Sequence, residues 1–243
     1  MNTAKRYLDY LQGKIQEVID HELPNIDKAA QLVVDSYVKG GRFYVFGSGH
    51  SHLIAEELFI RAGGLAFVHA ILPQELLLSQ MATKSTCVER LEGYGPMLVD
   101  LYCIDEKDTL MVISNSGRNA VPVEMCMAAK AKGASVIALT SMQHTSAVTS
   151  RHSSGKKICD IADVTIDNCA VKGDANFYVE GVDIPVGPTS DGTGIAIAQA
   201  LSCEITEKIA AIGMEPPIFV SSNVDGGDEK NDWLYKKYYG YWK

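Results

Sequence analysis

Along residues 3–39 the apolar positions recur at helical spacing. Tyr7, Leu8, Leu11, Ile15, Val18 and Ile19 form one series; Ile26, Ala29, Ala30, Val33, Val34 and Tyr37 form the next. Pro24 divides the two helices and Gly40-Gly41 ends the second. From Arg42 the pattern changes to short apolar runs at Phe43–Phe46, Ala66–Ala70, Leu110–Ser114, Val136–Thr140 and Val164–Asp167. Runs of this kind, mostly rich in β-branched or aromatic residues, predict strands covered on both faces. Helical stretches separate most of them. Asn119–Gly133 is one. The clearest is Ile195–Ile212, where Ile197, Leu201, Ile205 and Ile209 repeat every fourth residue and Gly213 follows. The alternation predicts an α/β fold with a parallel sheet and helices on both faces. Ile71–Asp108 follows neither period and reads as short helices and mobile loop. The expected organisation is a single domain: N-terminal helices over 1–40, a parallel α/β core over 41–213, and a C-terminal extension over 214–243.

That extension carries Trp233, Tyr235, Tyr238, Tyr239, Tyr241 and Trp242 among its last eleven residues. So many aromatic rings need a surface to cover, either on their own subunit or on a neighbour.

Composition narrows the function classes. With 47% apolar residues in 243, a well-buried core is available. The charge of 22 minus 30, or -8, is wrong for coating nucleic acid or an anionic membrane. Any bound anion must then be caught locally, by backbone N–H groups and a few side chains. None of the six cysteines forms a C-x-x-C pair, and several sit in apolar context, which suits reduced thiols. The first residues lack the apolar core of a signal peptide, and no apolar run reaches about 18 residues, so a cytoplasmic protein is expected.

Three turns carry candidate chemistry. Gly47-Ser48-Gly49-His50-Ser51-His52 follows a strand and opens a helix, where free N–H groups and the helix dipole favour an anion. His52 stands where a dinucleotide fingerprint needs glycine, and no G-K-[ST] follows, so neither a Rossmann nor a P-loop site fits. Ser114, Asn115, Ser116 and Gly117 form a second strand-to-helix turn, rich in hydroxyls with little fixed charge. Thr189 and Ser190 precede the long helix as expected caps, and Gly192 and Gly194 permit close approach. Each turn alone also reads as an ordinary connection. Together, at the end of a parallel sheet where ligands bind, they point to phosphate.

The stretches "GSGHS", "SNSG" and "GPTS" resemble the three phosphosugar loops of the sugar isomerase (SIS) domain, over roughly Ile26 to Gly213. The layout, including "RHSSGKK" and "SSNVDGGDE", is most similar to a bacterial group of phosphoheptose-isomerase-like SIS proteins. The resemblance implies a three-layer αβα sandwich with a five-stranded parallel sheet, and a homodimer or homotetramer with sites near the interface. It implies sugar-phosphate binding through Gly47, Ser48, Gly49, Ser51, Ser114, Asn115, Ser116, Gly117, Thr189 and Ser190. The expected activity is aldose–ketose isomerisation by enediol proton transfer, with sugar-phosphate elimination or non-catalytic sensing as alternatives. No cofactor is required.

For catalysis the "AEEL" helix of phosphoheptose isomerases implies Glu57 as base, although here it follows the loop about one turn sooner. An ordinary ion pair of Glu57 with Arg61 is the competing reading. His50, where arabinose-5-phosphate isomerases carry lysine, is a candidate acid, and Glu89 with Lys84 a candidate loop contribution. His152, Lys156 and Lys157 are candidates from a later loop. His50 and His52, two apart, do not suggest a metal site. Some phosphoheptose isomerases bind zinc, and isomerases of the family often carry a histidine on the last long helix. None stands between Thr189 and Gly213. Substrate specificity is expected in Ile71–Tyr94.

Overall fold

The structure, a computed structural model, describes residues 2–79 and 81–240. Two helices, α1 (Thr3–His21) and α2 (Leu23–Val38), lead into the sheet. Asn2 caps α1 by accepting from the Ala4 N–H, and Pro24 sits in the first turn of α2, where its missing N–H costs nothing. The five strands are β1 (Phe43–Gly47), β2 (Val68–Ile71), β3 (Thr109–Ile113), β4 (Ser135–Thr140) and β5 (Val164–Asp167). They pair in parallel in the order β2-β1-β3-β4-β5. The sheet therefore reverses its direction of growth between β1 and β3, the place where open α/β sheets leave a crevice.

Period-two alternation sorts the strand side chains into two cores. Phe43, Val45, Met111, Ile113, Ile137 and Leu139 pack under α2, α3 (His52–Leu58) and α8 (Ser190–Ala211). Tyr44, Phe46, Leu110, Val112, Val136 and Ala138 pack under α5 (Tyr94–Leu101) and α6 (Ala120–Ala131). Burial on both faces explains the unbroken apolar runs. Ile197, Leu201, Ile205 and Ile209 form the buried stripe of α8. Gly194 lies so close to Ile54 of α3 that a side chain there would collide, so the expected close approach is between helices.

Two short helices occupy the segment that followed neither period: α4 (Ala82–Val88) and α5. The helix α7 (Met142–Ser146) follows β4, and β6 (Ala175–Phe177) pairs antiparallel with β7 (Val186–Pro188). Tyr7 and Tyr10 of α1 meet Phe177 of this ribbon. The last helix, α9 (Gly227–Tyr239), lies on the β2 side of its own chain. Tyr239 contacts His69 and Phe59, and its hydroxyl donates to the Val68 carbonyl at 2.7 Å. Tyr241 and Trp242 of the aromatic tail fall outside the described residues. Among the described residues, no helix is long and apolar enough to cross a membrane.

Candidate functional site

At the β1/β3 reversal two turns face each other. Ser48 leaves β1 in extended conformation, and Gly49, at φ +57°, turns the chain into a 3-10 turn. Only glycine enters that left-handed region freely. His52 is buried and hydrogen-bonds through Nδ1 to the Gly49 carbonyl, so it pins the turn. His50 is exposed. The helix that follows, α3, has only seven residues, which leaves the first turn with less dipole than its sequence suggests.

The second turn is held from beneath. Thr140 Oγ1 donates to the Ser114 carbonyl at 2.7 Å, Thr145 Oγ1 to the Ser116 carbonyl at 3.0 Å, and Asn168 Nδ2 to Asn115 Oδ1 at 3.2 Å. Gly117, at φ +62°, donates its N–H to Ser114 Oγ at 3.1 Å. Residues from the ends of β4 and β5 thus set the shape of a turn that belongs to β3. Asn119 occupies the N-cap position of α6, but its amide faces away from the helix. Its Nδ2 donates to Glu89 Oε1 at 2.7 Å, and its Oδ1 accepts from Arg151 Nη1 at 2.9 Å.

Glu89 closes the circuit. Ser48 Oγ donates to Glu89 Oε2 at 2.8 Å, so one carboxylate bridges the two turns. The circuit ends on the Arg151 guanidinium. Partial burial, then the charges of Arg118 and Arg90, hold the Arg151 guanidinium below its ordinary value, with Glu89 opposing. Arg118 Nε is buried and has no hydrogen-bond partner among the described residues. The second turn therefore sits in substantial fixed positive charge, contrary to the sequence expectation. These arginines, and Asn119, were missed. The sequence signal was the pair Arg118-Asn119 directly after "SNSG", with Arg151 opening "RHSSGKK". The Arg151 N–H donates to the Arg118 carbonyl at 2.8 Å, so the later segment wraps the second turn, and its Lys157 caps a short 3-10 helix over Ile158–Asp160.

The third turn differs from expectation in one respect. The long helix begins at Ser190, not Ile195, and Thr189 at its N-cap position makes no side-chain cap. The cap is Asp174, itself in left-handed conformation at φ +71°. Its Oδ1 accepts from the Thr189 and Ser190 N–H groups at 3.2 and 2.9 Å, and its Oδ2 from Ser190 Oγ at 2.8 Å. A carboxylate thus already holds the anion position at the start of α8. Burial raises the Asp191 carboxyl and the charges of His50 and His52 oppose the shift, so the first and third turns converge. His144 is lowered by burial, with Asp174 opposing and Arg118 adding, which places the second and third turns together as well.

Glu57 sits on the seam between α3 and α8. Its Oε2 accepts from Arg61 at 2.9 Å and its Oε1 from Gln199 at 3.1 Å. His152 lies with Glu92 and Glu124, and Lys157 Nζ donates to the Thr145 carbonyl at 2.7 Å.

The sequence model of the SIS domain matches residues 6–141. A UPF0309 protein of Halalkalibacterium halodurans is 50% identical, over 96% of each chain. The phosphoheptose isomerase of Neisseria gonorrhoeae has a similar fold at TM-score 0.54 and 18% identity, covering 84% of this chain and 97% of that one. The Vibrio vulnificus NanR protein, solved with ManNAc-6P, is similar at TM-score 0.51 and 12% identity, covering 87% of this chain and 65% of that one.

Proposed function

Since this chain belongs to the SIS domain family, we propose that it binds a sugar phosphate at the β1/β3 reversal and isomerises it between aldose and ketose forms. The carrying observation is the Ser48–Glu89–Asn119–Arg151 circuit, with the charges of Arg118 and Arg90 acting on Arg151. The positive charges of Arg118 and Arg90 act on Arg151 with Glu89 opposing, and together the arginines would attract a phosphate dianion. Ser48, Ser114, Ser116 and Asn119 supply neutral donors at the same place. A bound phosphate oxygen would take over the Ser48 hydroxyl and the Asn119 amide from Glu89, releasing that carboxylate toward the sugar. Asp174 excludes phosphate from the start of α8 and offers acceptors for sugar hydroxyls instead.

The reaction needs a base at C2 and a proton donor at the carbonyl or ring oxygen. Phosphate binding positions the reacting carbons. Glu89, once displaced, is the base in this reading and His50, whose charge acts on Asp191, the acid. Glu57 is the less favoured base because Arg61 and Gln199 already hold it. That same restraint on Glu57 favours a second reading, sugar-phosphate binding without turnover.

The test begins with a thermal-shift screen of pentose, hexose and heptose phosphates and inorganic phosphate. Binders are then followed by proton NMR in deuterated water. Exchange at C2 with aldose–ketose interconversion is expected, abolished in Glu89→Gln. Arg118→Ala is expected to weaken phosphate binding by about 1.5–3 kcal/mol, the range for a charge-assisted hydrogen bond. Binding without exchange would support the second reading. A panel without any binder would remove both.

A further inference from the structure

We propose that Glu92, Glu124 and His152 form a site for one divalent transition-metal ion of the zinc class. The three come from separate segments: Glu92 from the α4–α5 connection, Glu124 from α6, and His152 from the segment that wraps the second turn. His152 Nε2 lies 3.6 Å from Glu124 Oε1 and 3.8 Å from Glu92 Oε2. All three ligand atoms fall within 4.8 Å of one another. These gaps are too long for hydrogen bonds, which require about 2.7–3.2 Å. They are close to the separation of roughly 3.4 Å between ligands that share a tetrahedral ion at about 2.1 Å.

The side chains of His152 and Glu124 are only 8% and 10% exposed, and Nε2 has no hydrogen-bond partner among the described residues. An imidazole nitrogen set between two carboxylates invites a cation. The orienting contacts are in place. Glu124 accepts from the Gly93 and Gly95 N–H groups at 2.7 and 3.1 Å, and Glu92 from the Ser153 N–H and hydroxyl, both at 2.7 Å. His152 Nδ1 lies 2.7 Å from Ser154 Oγ and 3.1 Å from the Ser154 N–H. When Nδ1 accepts from that N–H, the ring proton sits on Nε2. Metal binding moves the proton to Nδ1, which then donates to the Ser154 hydroxyl and leaves the Nε2 lone pair free. A surface cavity of about 470 Å³, lined by Glu124, His152, Asp100 and Lys132, gives access and room for a water ligand. Two carboxylates and an imidazole suit zinc or manganese better than a soft or purely oxygen-seeking ion.

The ion would tie Glu92 to the segment beginning at Arg151, stiffening the side of the phosphate site that carries Glu89 and Arg151. The site does not depend on the sugar-phosphate reading, since a different ligand tests it. The full chain, stripped with chelator, is titrated with Zn²⁺ by calorimetry and with Co²⁺ by visible absorption. One ion per chain is expected, bound through nitrogen and oxygen. Both His152→Ala and Glu92→Gln should weaken it at least about tenfold. Glu92 is 43% exposed, so its isosteric change should leave the metal-free melting temperature unchanged. Failure to bind, binding that survives both substitutions, or a thiolate charge-transfer band from the tightest Co²⁺ site would overturn the proposal.

Discussion

His69 shows how a single buried side chain ties stability to pH. Its ring lies between Tyr44 and Tyr239, at centroid distances of 5.6 and 4.9 Å, and Nε2 has no hydrogen-bond partner among the described residues. Burial, with the charge of Arg42 adding to it, pushes its pKa from 6.5 down to about 4. Above 6.5 the ring is neutral whether the chain is folded or not. Between 6.5 and about 4 the unfolded chain takes a proton that the folded chain refuses, so stability falls as the pH falls. Asp108, Asp167 and Asp191, raised chiefly by burial, act with the opposite sign. They are common to wild type and variant, so comparison isolates the histidine. His69→Leu is expected to flatten the decline in melting temperature between pH 6.5 and 4. Parallel profiles for the two proteins would refute this.

Among the elements, the α5–α6 contact is one that a single substitution can probe. A Cβ on Gly95 would stand 2.5 Å from Glu124 Cβ and 2.9 Å from the Met125 nitrogen, so backbone as well as side chain must move. Gly95→Ala is expected to destabilise by about 1–3 kcal/mol in urea unfolding, the usual cost of overpacking. A change within experimental error would mean that the two helices slide apart freely. Nothing in "EGYGP" announced this contact, because glycine in that string reads equally as a turn. The strands were more legible, since five apolar runs became five strands. The second was displaced from Ala66–Ala70 to Val68–Ile71, because Leu65 and Ala66 pair instead with Ile218 and Pro217.

On the scale of the whole molecule, β2 is an edge strand, and its exposed backbone needs cover. The segment before α9 and the aromatic rings of that helix supply it. Phe219 packs on Tyr235 at 5.0 Å, the Gly63 N–H donates to the Phe219 carbonyl, and Tyr239 reaches Val68. A chain ending before Glu215 is expected to melt at lower temperature and to self-associate through β2. Light scattering and size-exclusion chromatography against the full chain would show this. Unchanged melting and elution would mean that the cover is dispensable.

The alternation of strands and helices, the burial of the sheet on both faces, and the three turns with their hydroxyls were legible from the chain alone. Those follow from periodicity, glycine freedom and local hydrogen bonding, which act over a few residues. Contacts between distant segments set the rest: Glu89 bridges Ser48 and Asn119, Arg151 meets Asn119 with the charges of Arg118 and Arg90 upon it, and Asp174 caps α8 in place of Thr189. Charges and carboxylate caps act through space, and their partners come from segments whose separation along the chain carries no record of the contact.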